Sequence, residues 1–221
     1  EEIQARAERV AAAVGVPLEV VASGELEKPE YRANTPDRCF YCKDTLYALL
    51  GRIAAAANGA AVLDGTNHDD LSDLRPGLRA VRARGVRSPL AEQGWTKAEI
   101  REASRGLGLE TWDRPASPCL SSRIPHGTPV TEEALARIGE AERRLRALGF
   151  EEVRVRHHGR IARIEVPGDR IAELAARREE VLPAVLGTGY LLVTIDLSGY
   201  RTGGADLRPA PGSAGGGPQP A

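Results

Sequence analysis

The sequence predicts an α/β fold: a parallel-sheet domain over residues 1–125, a small α+β domain over 126–202, and a disordered tail over 203–221. Three observations lead there. Helical patterns alternate with short apolar runs in the first half, as in a doubly wound sheet. Pro115, Pro118, Pro125 and Pro129 crowd the middle into an irregular connector. Beyond it the pattern becomes helix, two alternating strands, helix and strand.

The elements follow in order. Ile3, Ala7, Val10, Ala11 and Val14 recur at helical spacing over 1–15, with Gly15 as the stop. Pro17–Val21 reads as a short strand and 23–38 as a loop. A helix covers 40–57 and ends at Asn58-Gly59. Ala60–Leu63 is a run of the buried-strand type, followed by a polar loop over 64–75. A short helix runs from Pro76 to Gly85. Thr96 with Glu99 forms a capping-box signature for a helix to about Leu107. In the second half Thr131 caps a helix over 132–148, closed by Gly149. Val153–His157 and Arg160–Val166 alternate around His158-Gly159, a hairpin signal. A helix over 168–182 and a strand over Tyr190–Leu197 complete the pattern, and the Gly- and Pro-rich end reads as tail.

With 42% hydrophobic and 28% charged residues, 221 residues suffice for a core without staples. A net charge of −1 argues against a broad nucleic-acid surface. No apolar run approaches the ~18 residues of a membrane span, and no leader pattern opens the chain, so a cytoplasmic protein off the membrane is expected. Three cysteines without an export signal point to metal or redox chemistry rather than a disulfide framework. The chain has no Met and opens inside a helical pattern without a capping residue, which predicts a missing N-terminal piece.

Four places could carry chemistry. Cys39 and Cys42 form a CxxC, and Cys119 stands alone. Three thiolates suit a [4Fe–4S] cluster with one open iron, or zinc with a fourth ligand such as His68 or His126. A redox pair and three unrelated buried thiols are the other readings. The loop Asp64-Gly65-Thr66-Asn67 follows a buried run, where open sheets bind ligands; alone it also reads as a solvated turn. The hairpin gathers Arg154, Arg156, Arg163 and Glu165 on one face, a pattern for a phosphate or carboxylate, or else for a mixed-charge exposed face. Glu142 lies inside the apolar stripe Ala134, Leu135, Ile138, Ala141, Leu145 and Leu148. There it must be paired, hydrogen-bonded or metal-bound, unless it snorkels to water.

Several of these segments, in order, resemble the LarE family. They are Asn34-Thr35-Pro36-Asp37-Arg38-Cys39-Phe40-Tyr41-Cys42-Lys43, Asp64–Asn67 with Asp70 and Asp73, Arg75-Pro76-Gly77, Arg87-Ser88-Pro89-Leu90 and Thr96-Lys97. The match continues through Cys119-Leu120-Ser121-Ser122-Arg123-Ile124-Pro125-His126-Gly127, Val153-Arg154-Val155-Arg156 and Ile161-Ala162-Arg163-Ile164-Glu165.

The resemblance implies a PP-loop fold for the first domain and ATP-dependent sulfur transfer in nickel-pincer nucleotide biosynthesis for lactate racemase. A carboxylate of a pyridinium dicarboxylate mononucleotide would be adenylated with Mg2+ and ATP, then converted to a thiocarboxylate. Asp64, Gly65, Thr66 and Asn67 would lie by the AMP moiety, and Arg154 and Arg156 would bind the substrate phosphate. Glu142 and Glu165 match acidic substrate- or metal-site residues. Ser122 and Arg123 would line the cleft near the sulfur, with Cys119 and Glu142 among the catalytic residues. The family's SGGxDS phosphate loop does not occur in this chain, which agrees with a missing N-terminal piece and implies that residues 1–221 alone are inactive.

Where members that sacrifice their own sulfur carry the donor cysteine, this chain has Pro118. Cys39, Cys42 and Cys119 instead resemble the branch that holds a [4Fe–4S] cluster. The resemblance also implies a homo-oligomer joined through the C-terminal domain. The alternatives are a tRNA-thiolating PP-loop enzyme, against which the net charge argues, and a non-catalytic zinc or iron–sulfur module.

Overall fold

The computed structural model describes residues 2–72, 76–114 and 118–201. The chain divides into two compact units, Glu1–Ser117 and Pro118–Ala221. The expected tail over 203–221, and Asp73 and Arg75 of the quoted motifs, lie outside the described residues.

The first unit is mainly helical. Its helices are α1 (Glu2–Val14), α2 (Pro29–Arg32), α3 (Arg38–Ala56), α4 (Pro76–Ala83), α5 (Pro89–Glu92) and α6 (Lys97–Gly106). Asn58 and Gly59 end α3 in left-handed conformations, as their sequence positions suggested. The core sets Tyr47 of α3 on Ala80 and Val81 of α4 and on Val86, with Phe40, Leu46, Leu50, Val62 and Leu78 around it. Gly77 brings α4 close to the first turns of α3: a Cβ there would stand 3.1 Å from Lys43 Cδ.

The expected parallel sheet of this unit is reduced, among the described residues, to one bridge between Leu63 and Arg87. The Asp64 N–H donates to the Arg87 carbonyl at 2.9 Å and the Arg87 N–H to that of Val62 at 3.0 Å. Pro17–Val21 has no regular secondary structure and joins no ladder. Its Leu18 and Val20 are exposed, so the run lacks the partner strand that converts β-propensity into a sheet. Pro29 at the first helical position starts the one-turn α2 inside the expected loop.

At α6 the sequence signal is realised. The Thr96 N–H donates to Glu99 Oε2 at 2.8 Å, and the Glu99 N–H donates to Thr96 Oγ1 at 3.3 Å. Thr96→Ala is expected to cost about 1 kcal/mol, read as a lower urea midpoint with unchanged slope. An unchanged midpoint would show that the cap does not support this unit.

The second unit is α+β. A 3-10 turn, Leu120–Arg123, precedes α7 (Glu132–Ala147), β1 (Arg154–His158), β2 (Ile161–Glu165), α8 (Ile171–Ala176), α9 (Arg178–Leu186) and β3 (Leu192–Ile195). The sheet order is β1-β2-β3, antiparallel then parallel. Thr131 caps α7 by accepting from the Ala134 N–H at 3.1 Å. Ala141 and Leu145 of α7 pack on Val155, Ala162 and Ile164 of the sheet, with Phe150, Leu174, Val181, Val185 and Tyr190 closing the core.

Three expectations shift here. The hairpin loop is Gly159-Arg160, because His158 pairs with Ile161; Gly159 supplies the positive φ of 64°. The helix expected over 168–182 is broken at Arg177, whose ψ of 26° leaves the helical range, into α8 and α9. The division of the chain falls at Ser117–Pro118, ahead of the boundary drawn after Pro125. The reason is that Arg123 pairs with Glu142 of α7, which ties the Leu120–Arg123 turn to the second unit. Among the described residues no helix is long and apolar enough to cross a membrane.

Candidate functional site

In the first unit the chemistry gathers behind the Leu63–Arg87 bridge. Asp64 accepts at Oδ1 from Ser88 Oγ at 2.6 Å and from the Thr66 N–H at 3.1 Å. At Oδ2 it accepts from the Tyr47 hydroxyl at 2.7 Å and from Thr66 Oγ1 at 2.8 Å. The Lys43 ammonium donates to the Tyr47 oxygen at 2.9 Å and lies 3.6 Å from Asp64 Oδ2. Burial pushes the Asp64 pKa up, but the donors from Ser88, Tyr47 and Thr66 outweigh it and hold the pKa at about 2. Asp64 is therefore an anionic hub that four donors already occupy, and it shapes the loop that follows.

That loop is pinned further on. The Asn67 N–H donates to Asp70 Oδ2 at 3.2 Å and the Asp70 N–H to Asn67 Oδ1 at 3.1 Å. The Ala91 N–H donates to the Thr66 carbonyl at 3.2 Å. Space beside Gly65 is open: a Cβ there would meet nothing within 4 Å. The loop can thus present backbone to a ligand while the carboxylate behind it stays fixed.

Cys39 and Cys42 occupy the first turns of α3, three residues apart on one face. Neither is in a disulfide; Cys39 is exposed and Cys42 half-buried. Asn34, left-handed at φ 52° and fully buried, accepts from Arg38 Nη1 at 2.6 Å and so fixes the start of α3. Arg79 of α4 pairs with Asp37 and lies over the Phe40 ring, 5.0 Å from its centre. Within either unit, no group of three or more His, Cys, Asp or Glu among the described residues is arranged to hold a metal ion. The donor type of Cys39 and Cys42, two thiols on one helical face, is nevertheless one that suits thiolate ligation.

The second unit centres on buried ion pairs. Arg123 Nε donates to Glu142 Oε1 at 2.8 Å and Nη2 to Oε2 at 3.1 Å. Both side chains are almost wholly buried, at 2% and 1% exposure. Glu142 also accepts from Arg146 Nη2 at 2.7 Å and from the Val155 N–H at 3.1 Å. The carboxylate inside the apolar stripe is thus paired and does not snorkel. Arg123 Nη1 reaches the carbonyls of Pro118 at 2.8 Å and Cys119 at 3.2 Å and the Ser122 hydroxyl at 3.0 Å. Cys119 is exposed just before this turn.

The hairpin face has the expected register, and it is not the mixed-charge exposed face that is one of its two readings. Arg154 stands opposite Glu165 and Arg156 opposite Arg163. Arg154, Arg156 and Glu165 are buried. Arg156 Nη2 donates to Glu165 Oε2 at 2.6 Å, and Nη1 to the Ser122 carbonyl at 3.1 Å. Arg163 reaches Glu165 Oε1 at 3.3 Å and Asp196 Oδ2 at 2.8 Å. Arg154 donates to the Val153 carbonyl at 2.9 Å and lies over the Tyr200 ring, 5.0 Å from its centre. Burial, and next the like charge of Arg123, pull the Arg154 pKa below its ordinary value, so its surroundings disfavour the cation.

In each unit the structure thus joins residues that stand apart in the sequence. Asp64 and Thr66 meet directly, as do Arg123, Ser122 and Glu142, and Arg156, Glu165 and Ser122. Tyr47, Ser88, Arg146 and Asp196 were not singled out. Tyr47 carried one signal, a position four residues after Lys43 on the same helical face; Ser88 carried none.

These features define a two-unit mixed α/β protein with one loop organised by a half-buried carboxylate and one sheet face lined by buried arginines. No family model matches the chain. It is 44% identical to an uncharacterized protein of Synechocystis sp. over 92% of this chain and 75% of that protein. It is 42% identical to the pyridinium-3,5-bisthiocarboxylic acid mononucleotide synthase of Lactiplantibacillus plantarum, over 80% of this chain and 64% of the synthase. An uncharacterized protein of Methanocaldococcus jannaschii is 32% identical over 76% of this chain and 66% of its own length. The chain thus belongs to one family with the cyanobacterial protein and is similar to the synthase. It spans just under two thirds of the length of the synthase and of the archaeal relative.

Proposed function

We propose that the chain is part of an ATP-dependent sulfur transferase acting on pyridinium-3,5-dicarboxylate mononucleotide. The observation that carries this reading is the buried arginine face. Among the described residues the buried Arg123, Arg154 and Arg156 lie with two buried carboxylates, Glu142 and Glu165, and the half-buried Arg146 and Arg163 bring further positive charge to these carboxylates and to Asp196. Buried cations in excess call for an anion, and a phosphate monoester supplies one. The relative from L. plantarum is named for a mononucleotide product, which supports the same ligand class.

The chemistry needs activation, because an oxide ion is a poor leaving group. The substrate carboxylate oxygen attacks the α-phosphorus of Mg2+-bound ATP, and pyrophosphate leaves. Sulfide then attacks the carbonyl carbon, and AMP leaves with the C–O bond pair. The loop Asp64, Gly65, Thr66 and Asn67 would hold the adenylate end through its backbone. Arg154 and Arg156 would hold the substrate phosphate, while Glu142, Arg123, Ser122 and Glu165 keep those arginines in place. Cys39, Cys42 and Cys119 would ligate a [4Fe–4S] cluster, which when bound supplies the transferable sulfur. Holding carbon and sulfur at near-attack distance is the remaining task of the site. Assembly as a homo-oligomer through residues 126–202 belongs to the same proposal.

The test compares binding of the mononucleotide with that of its dephosphorylated nucleoside. The mononucleotide should bind at least tenfold more tightly, and Arg154→Ala with Arg156→Ala should remove that preference, since each charge-assisted contact contributes about 1.5–3 kcal/mol. With ATP and Mg2+ the whole gene product should form thiocarboxylate, seen by mass spectrometry. Equal binding of both ligands, or no thiocarboxylate from iron–sulfur-loaded protein, would overturn the reading.

A further inference from the structure

On β1, His158 follows Arg154 and Arg156 at two-residue spacing, so the three side chains rise from one face, neighbours about 7 Å apart. Two buried nitrogens on this face, Arg156 Nε and His158 Nε2, have no hydrogen-bond partner among the described residues. An unsatisfied buried polar atom is costly, and two at successive positions of one strand face call for a common explanation. Glu165 does not provide it, since its oxygens engage Arg156 Nη2 and Arg163 Nη2 instead. A tetrahedral oxyanion, with several acceptor oxygens, can span neighbouring donors at this spacing.

We propose that His158 is a third anchor of the anion site, its Nε2–H donating to a phosphate-type dianion held also by Arg154 and Arg156. The inference rests on the anion-site reading above and adds a residue to it. The groups facing His158 set its behaviour. They are Arg156 and His157 on its own strand, Arg163 and Glu165 on β2, and Asp196 after β3, acting through Arg163. In the free protein, burial first and then Arg163 lower the imidazole pKa, with Arg156 adding to the effect and Glu165 opposing it. A dianion at the site reverses the local sign and favours the imidazolium. Anion binding and protonation of His158 therefore reinforce each other, and affinity rises as pH falls through the imidazole range.

Inorganic sulfate is the probe, because it stays dianionic from about pH 5.5 to 8. Its affinity is measured at both ends of that range, and the histidine ring protons are titrated by NMR with and without it. Sulfate should bind about fivefold more tightly or better at the acid end. The His158 resonance should titrate at higher pH when sulfate is bound, and His158→Gln should flatten the pH dependence while sulfate still binds. Sulfate binding that Arg154→Gln with Arg156→Gln abolishes, but that is independent of pH with an unmoved His158 titration, overturns the role of His158 and leaves the anion site standing. Absence of sulfate binding at both pH values, in wild-type protein whose circular dichroism is native, overturns the anion site and this inference with it.

Discussion

Glu142→Ala is expected to destabilise the second unit by about 3–5 kcal/mol, because it leaves the Arg123 guanidinium buried without its counter-charge. The Val155 N–H would lose its acceptor at the same time. Replacing both partners by apolar residues, Glu142→Leu with Arg123→Met, should recover most of the loss, since the dominant penalty is the orphaned charge rather than the absent attraction. Urea unfolding followed by far-ultraviolet circular dichroism measures both variants. A single-variant loss below about 1 kcal/mol would show that the pair does not hold the unit together.

Signals contained in one element were legible in the sequence. The Thr96–Glu99 capping box and the Thr131 cap each depend on residues within one turn, and each forms in the structure; that Glu142 needs a partner followed from its place in the apolar stripe, but its partner Arg123 lies 19 residues upstream in another element. The face assignment of the hairpin was readable for the same reason, since period-two alternation is local. Its burial was not. Arg156 is covered in part by the Ser122 backbone, which arrives from 34 residues upstream, and no strand pattern encodes that. Asp64 shows the same limit: its donors come from α3, from its own loop and from Ser88. Pro17–Val21 erred in the opposite direction, because an apolar run states a preference for a sheet but cannot supply the neighbouring strand.

Asp64→Ala is the second large effect expected. It strips an acceptor from Ser88, Tyr47 and Thr66 at once and leaves Lys43 beside an uncharged position. The first unit should lose on the order of 3 kcal/mol, and the 64–70 loop should lose its fixed shape. The pH dependence separates this carboxylate from other causes. Its folded pKa of about 2 lies below the ordinary 3.8, so its contribution is present above about pH 4 and is lost as pH falls towards 2. That contribution is about 2 kcal/mol. His157 and His158 act in a different window: their lowered values make protonation unfavourable to the fold, so they reduce stability as pH falls below about 6.5. Wild-type protein should therefore soften in two acid steps, and Asp64→Ala should lack the lower one. An unchanged lower step in the variant would show that another carboxylate produces it.

The hold of Arg123 on the chain just ahead of it bears on the entropy of ligation at Cys119. One guanidinium group clasps the carbonyls of Pro118 and Cys119 while its other edge is locked to Glu142. The Cys119 backbone is therefore already confined before any ligand arrives, and the exposed Sγ retains little more than rotation about χ1. Ordering a free loop residue costs about 1–2 kcal/mol of backbone entropy, and here folding has already met that cost. A group that bonds to this sulfur gains a rigid attachment point whose binding free energy is not diminished by freezing the chain behind it.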